Sequence, residues 1–170
     1  VLKDGAKTGF DGQMSQPFRA SDDYGVVRGR ATFQLDLDRV ERRHGLMAEP
    51  DPRQAIVLDL PMPITGDRAE FTEALVENLS KHPWAHLPVR LELQVSDAAQ
   101  QQGQSAPVEM RLPARRFFDP LAAAVIEQRR DLLWARSNAR RVAQVLRAVS
   151  HRPEPGLFRS AGAYLQLRTI

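Results

Sequence analysis

The sequence predicts an antiparallel β-sandwich over residues 1–113 followed by a short helical segment of two or three helices over residues 114–170. Three observations predict it. Val27, Gly29, Ala31, Phe33, Leu35 and Leu37 alternate with Arg28, Arg30, Thr32, Gln34, Asp36 and Asp38, a period of two that marks a strand with one buried face. Val89, Leu91, Leu93 and Val95 repeat that pattern, and after a polar loop ending near Gly103 so do Val108, Met110 and Leu112, as in a two-stranded hairpin. At Pro113 the period changes to a four-three spacing.

The remaining elements follow in chain order. Met14 to Ala20 precedes the first alternating run as a strand that Pro17 confines to an edge or a bulge. Between them "SDDYG" has turn chemistry, because aspartates cap local amides and Gly25 accepts positive φ. Arg39 to Arg53, with Gly45, Pro50 and Pro52, reads as a polar excursion with at most one helical turn. Ala55 to Leu60 is a short strand ended by prolines. Phe71, Leu75 and Leu79 fit both a helix and a strand; their β neighbours and the partner that a meander requires favour a strand over Phe71 to Leu79.

Asp119 followed by Pro120 is a helix start, a side-chain cap with proline at the first helical position. Leu121, Val125, Gln128, Leu132, Ala135, Ala139, Val142, Leu146 and Val149 then form a narrow seam. It fits one helix of about 30 residues, or two broken near "WARSN" with Ser137 capping the second. Gln128, Ala135 and Ala139 weaken the middle of the seam, so it is expected to pack within a monomeric chain, covered by Tyr164, Leu165 and Leu167 of a short final helix.

Composition bounds the function. A chain of 170 residues, 42% hydrophobic and 26% charged, buries a core without disulfides or metals. No apolar run approaches the roughly 18 residues of a membrane helix. The chain begins at Val1 without a signal-peptide pattern, and so reads as an excised segment. The absence of cysteine removes thiol catalysis and cysteine-ligated zinc. Only Lys3, Lys7 and Lys81 of the 24 basic residues are lysine, and the net charge of +3 is poor evidence for nucleic acid.

The runs "SDDYGVV", "HPWAHLPVRLELQVSDAAQQQGQS", "LPARRFFDPLAAAVIEQRRDLLW" and "GAYLQLR" resemble a family of large alphaproteobacterial inner-membrane proteins of unknown function. Its members have membrane helices near the N-terminus and a low-complexity, Gln-rich C-terminal region. The resemblance covers most of Phe18 to Arg168 and implies a periplasmic segment, an immunoglobulin-like sandwich leading into helices, and no assigned activity. It departs at His86, where the family usually carries glycine.

Four constellations of residues are candidates for chemistry. His82 and His86 stand four apart, as on a zinc-binding helix, but Pro83 and Pro88 oppose a helix and no acidic residue lies between. The stretch reads instead as a corner whose Trp84 plugs the sandwich; His44 and His151 are isolated. If the sandwich is immunoglobulin-like, Asp22, Asp23 and Asp97 lie at one end as oxygen ligands for calcium, although turn-capping is the commoner use of such aspartates. On an unbroken helix Arg129, Arg136, Arg140 and Arg147 share a stripe suited to acidic polymers, diluted by Glu127 and Asp131. Ser15, Ser21, Ser80, Ser96, Ser105, Ser137, Ser150 and Ser160 sit in no nucleophile elbow, and no glycine-rich phosphate loop follows a strand. The resulting expectation is a non-catalytic periplasmic structural or interaction module. It has no cofactor, and its partner is another envelope protein or another part of its own full-length chain. The alternatives are an anion-binding module using the arginine helix, and a metal-dependent or hydrolytic enzyme.

Overall fold

The computed structural model describes residues 2, 5–42, 46, 48–66, 68–151, 153, 156–158 and 160–169; His44 lies outside them. The chain divides into two compact units, 1–40 with 53–116, and 41–52 with 117–170. Among the described residues the first unit holds eight strands: β1 (Lys7–Thr8), β2 (Gln13–Ser21), β3 (Val26–Leu35), β4 (Ile56–Asp59), β5 (Glu70–Asn78), β6 (Pro88–Asp97), β7 (Gln102–Gln104) and β8 (Val108–Arg111). One sheet has the order β1-β2-β5; the other runs β4-β3-β6, with β7 and β8 sharing the far side of β6. Every pairing is antiparallel. The two sheets and the helices that follow form the predicted architecture, a β-sandwich and then helices. Phe71 to Asn78 is strand, in register with β2 from Phe71 opposite Ala20 to Asn78 opposite Gln13.

Alternation builds the core. Met14, Phe18 and Ala20 of β2 are buried, as are Phe71 and Leu75 of β5, Ala31 and Phe33 of β3, and Val89, Leu91 and Leu93 of β6. Phe18 meets Phe71 edge-on with centroids 6.2 Å apart. Each of these side chains larger than alanine contributes about 1.5–3 kcal/mol on burial. Pro17 is tolerated in β2 because β1 pairs only with Met14 and Ser15.

The alternation slips at one point. Val26 pairs with Asp97 but Arg28 pairs with Ser96, so Val27 is the extra residue of a β-bulge. Val26 therefore enters the core at 1% exposure, whereas Val27, expected inside, is 47% exposed. Leu37, also expected inside, is exposed on a 3-10 turn spanning Leu37–Arg39. Asp36, expected outside, is buried, and the Arg90 guanidinium donates to both of its carboxylate oxygens at 3.0 Å. That pair ties the end of β3 to β6 and satisfies a carboxylate that would otherwise be costly to bury.

The turn before β3 forms as its residues predict. Asp22 accepts from the Tyr24 amide at 2.9 Å, and Gly25 sits at φ 82°. A tighter glycine is Gly12, at φ 85°: a Cβ there would stand 2.9 Å from backbone atoms of Ala114 and Arg115, so only glycine fits.

In the second unit α1 spans Pro120–Trp134, α2 Ala139–Val149 and α3 Ala161–Arg168. Asp119 caps α1, accepting from the Ala122 amide at 2.8 Å. The helix breaks at Ala135, which is extended at φ −151°, ψ 132°, and a 3-10 turn over Arg136–Asn138 precedes α2. Ser137 does not cap α2. Asn138 occupies the cap position, and its amide donates instead to the Asp131 carbonyl at 3.0 Å, while Arg141 donates to the buried Asp131 carboxylate at 2.6 Å. These contacts hold the break, so the seam folds back within the chain. Val142, Leu146 and Leu167 form its core with Val125 and Phe158 against them. Leu165, expected to cover the helices, and Leu132, expected in the seam, are 60% and 41% exposed.

Segment 41–52 belongs to this helical unit. The Trp134 indole donates to the Ala48 carbonyl, the Asp51 amide donates to the Trp134 carbonyl at 2.8 Å, and the Arg136 amide donates to the Asp51 carboxylate at 3.0 Å. These bonds take up backbone groups left over at the end of α1. Among the described residues no helix is long and apolar enough to cross a membrane.

Candidate functional site

The outer face of the larger sheet carries a polar groove. Register assembles it in rows: Arg28, Ser96 and Gln102 across β3, β6 and β7, then Arg30, Gln94 and Gln104. The groove encloses about 490 Å³ over the first row and part of the second, and Asp97 and Gln100 of the β6–β7 turn close one end. The Gln94 amide donates to the Gln102 side-chain carbonyl at 2.9 Å, tying β6 to β7. Neither the Arg28 nor the Arg30 guanidinium has a hydrogen bond or an ion pair among the described residues, although Asp59 stands opposite Arg30 in register on β4.

The turn at the closed end is held firmly. Asp97 is 5% exposed, and its Oδ1 accepts from the Gln101 amide at 2.7 Å. Its Oδ2 is buried without a hydrogen-bond partner. Gln100 is held at φ 64°, left-handed backbone that costs a non-glycine residue of order 1 kcal/mol. On the inward side Gly29 lets Leu60 and Met62 approach, where a Cβ would meet the Leu60 Cδ1 at 2.8 Å. Groove and core thus share one stretch of β3.

The sequence placed Arg28, Arg30, Gln94 and Ser96 on outward faces but did not join them into a site. The signal was there in the two alternating runs. What was missing was the register between them, which the bulge at Val27 sets.

The candidate calcium, arginine and histidine-pair residues each have a place. Asp22 closes the turn before β3, and Asp97 closes the one after β6 at the same end of the sandwich, since Val26 pairs with Asp97. Asp23 lies in the first turn. No group of three or more His, Asp or Glu side chains among the described residues is arranged to hold a metal ion. Arg129 lies on α1, Arg136 on the 3-10 turn, and Arg140 and Arg147 on α2. The break at Ala135 removes the continuous stripe and leaves Arg140 and Arg147 as a pair on one helix.

The "HPWAH" stretch forms a corner of successive turns between β5 and β6. Trp84 is buried at 6% exposure, with the His82 ring edge-on to it at 5.1 Å. The His82 Nδ1 accepts from the Trp84 amide at 3.1 Å, which requires the neutral imidazole. Burial, and then the nearby Arg53 cation, lower the His82 pKa below its ordinary 6.5. The folded state therefore prefers neutral His82: its contribution to stability is complete above about pH 6.5 and is lost as pH falls below that value. Thermal unfolding midpoints followed from pH 7.5 to pH 5 should decline, and His82→Asn, which keeps an acceptor that does not titrate there, should remove part of that decline.

His86 has the backbone of a glycine position. It sits at φ 69°, a conformation that glycine adopts without strain. Its amide donates to the Leu112 carbonyl at 3.0 Å, a bond that does not depend on the side chain. His86→Gly should leave chemical unfolding stability unchanged or raise it by up to about 1 kcal/mol, since relief of left-handed strain offsets the entropy of glycine.

Fold and groove together define a two-sheet sandwich with an arginine-bearing polar surface, joined to a small helical unit. The whole chain, residues 1–170, matches the family model described as a domain of unknown function, DUF4175, and the chain belongs to that family. A comparison with curated proteins finds no match.

Proposed function

We propose that this chain is a non-catalytic interaction module of the cell envelope, an immunoglobulin-like sandwich with an appended helical unit, on the periplasmic side of an alphaproteobacterial inner-membrane protein. The groove carries the reading. Two exposed guanidinium groups without partners lie among side-chain amides and a hydroxyl, a set that recognises a ligand by charge and hydrogen bonding. Its groups suit binding better than chemistry, because Ser96 has no hydrogen-bonded base among the described residues and Asp97 commits one oxygen to a turn amide.

Strand order supports the immunoglobulin-like assignment. β1-β2-β5 correspond to strands A, B and E, and β4-β3-β6 with β7 and β8 correspond to C′, C, F and G. The resemblance of "LPARRFFDPLAAAVIEQRR" to inner-membrane proteins supports the compartment.

The chain has no cysteine, so a single introduced thiol reports its compartment. Val57, exposed on β4, is a suitable position. In cells with a permeabilised outer membrane and an intact inner one, a membrane-impermeant maleimide should label Val57→Cys. Labelling of the chain only after lysis would place it in the cytoplasm and overturn the compartment.

A further inference from the structure

We propose that the groove binds an acidic saccharide, with Arg28 and Arg30 holding its carboxylate groups and the glutamines and Ser96 holding its hydroxyls; this rests on reading the groove as a binding surface. The charge that the lining presents to solvent is positive, because Arg28 and Arg30 are exposed while Asp97 is 5% exposed. A guanidinium pairs with a carboxylate through two parallel N–H donors, and two such groups two residues apart on one strand are spaced at about 7 Å. Around them Gln94, Ser96, Gln100 and Gln102 supply both donors and acceptors, the capacity that a ring of hydroxyls requires. The volume of about 490 Å³ is that of a small-ligand site rather than of a protein interface.

Two details favour a saccharide over an acidic peptide. A peptide bound to a sheet face needs apolar subsites for alternate side chains, and here the apolar side chains of the lining are only Val27 and Ala98. The groove also lies on the face of the sheet, where backbone groups of β3 and β6 are already paired with each other. Side chains must therefore provide the recognition. The bulge at Val27 and the left-handed Gln100 fix the end of the groove, and both are local departures of the kind found beside binding sites.

Titration calorimetry on the 170-residue chain tests this with tetragalacturonate, neutral chitotetraose and inorganic phosphate as separate probes. Tetragalacturonate should bind in a salt-sensitive manner and more tightly than the other two. Arg28→Gln and Arg30→Gln should each weaken it by about tenfold or more, the loss of one charge-assisted pair. Both positions are on the exposed face, and an unchanged unfolding midpoint confirms that each variant is folded. Arg140→Gln on α2 should have no effect. Absence of tetragalacturonate binding, equal affinity for phosphate or the neutral tetramer, or binding lost in Arg140→Gln but retained in the groove variants would each overturn the proposal. Compartment labelling at Val57→Cys is independent of all these outcomes, so failure here leaves the envelope assignment standing.

Discussion

Phe33→Ala is expected to lower the unfolding free energy by about 3–5 kcal/mol. Phe33 is fully buried on β3, paired with Ile56 of β4 on one side and Leu91 of β6 on the other. Truncation removes the transfer free energy of the ring and leaves a cavity that strands held on both sides cannot collapse to fill. Domains of this size have about 5–15 kcal/mol of stability in all, so the variant should show a large drop in its denaturant midpoint with a similar slope. An unchanged midpoint would remove β3 from the core.

Trp84→Ala should be nearly as costly, about 3–5 kcal/mol, for a related reason. Its indole is the buried part of the corner between β5 and β6, and the His82 ring packs edge-on against it. The Leu87 amide donates to the Trp84 carbonyl at 2.9 Å, so the residue sets the path of the chain into β6 as well as filling space. Denaturant unfolding of Trp84→Ala and His86→Gly side by side should therefore separate two residues of one stretch. The first loses a large share of the stability and the second loses none. Stoichiometric zinc that disappears on mutating either His82 or His86 would instead make the stretch a metal site.

How far the fold was legible depends on the range of the interaction. Strands β3 and β6 were readable because alternation is local, and the start of α1 was readable because Asp119 and Pro120 act within one turn. The bulge at Val27 was not, since an extra residue changes register without changing composition. Segment 41–52 read as an excursion because its destination is set by Trp134 and Asp51, far apart in sequence. A break near "WARSN" is one of two readings the seam allows, and the structure takes it; with no glycine or proline there the sequence could not choose, because Asp131, Asn138 and Arg141 hold the break through side chains that meet only once the chain has turned. The left-handed backbone at His86, which glycine would adopt without strain, has no local sequence signal.

The groove was the least legible feature. Arg28 and Arg30 look like the solvated face of any amphipathic strand until Ser96, Gln94 and Gln102 are placed beside them by register. The arginines of the helical segment, more conspicuous as a run, are divided by the bend at Ala135.

The most direct measurement of the central claim compares two introduced thiols, Ala98→Cys lining the groove and Val57→Cys outside it, as rates of maleimide labelling in cells and in the purified chain. If the groove is a binding surface in use, labelling of a thiol at its rim, Ala98→Cys, relative to Val57→Cys is slower in cells than in the purified chain, and Arg28→Gln restores it. The same ratio in both settings, unaffected by Arg28→Gln, would contradict the account.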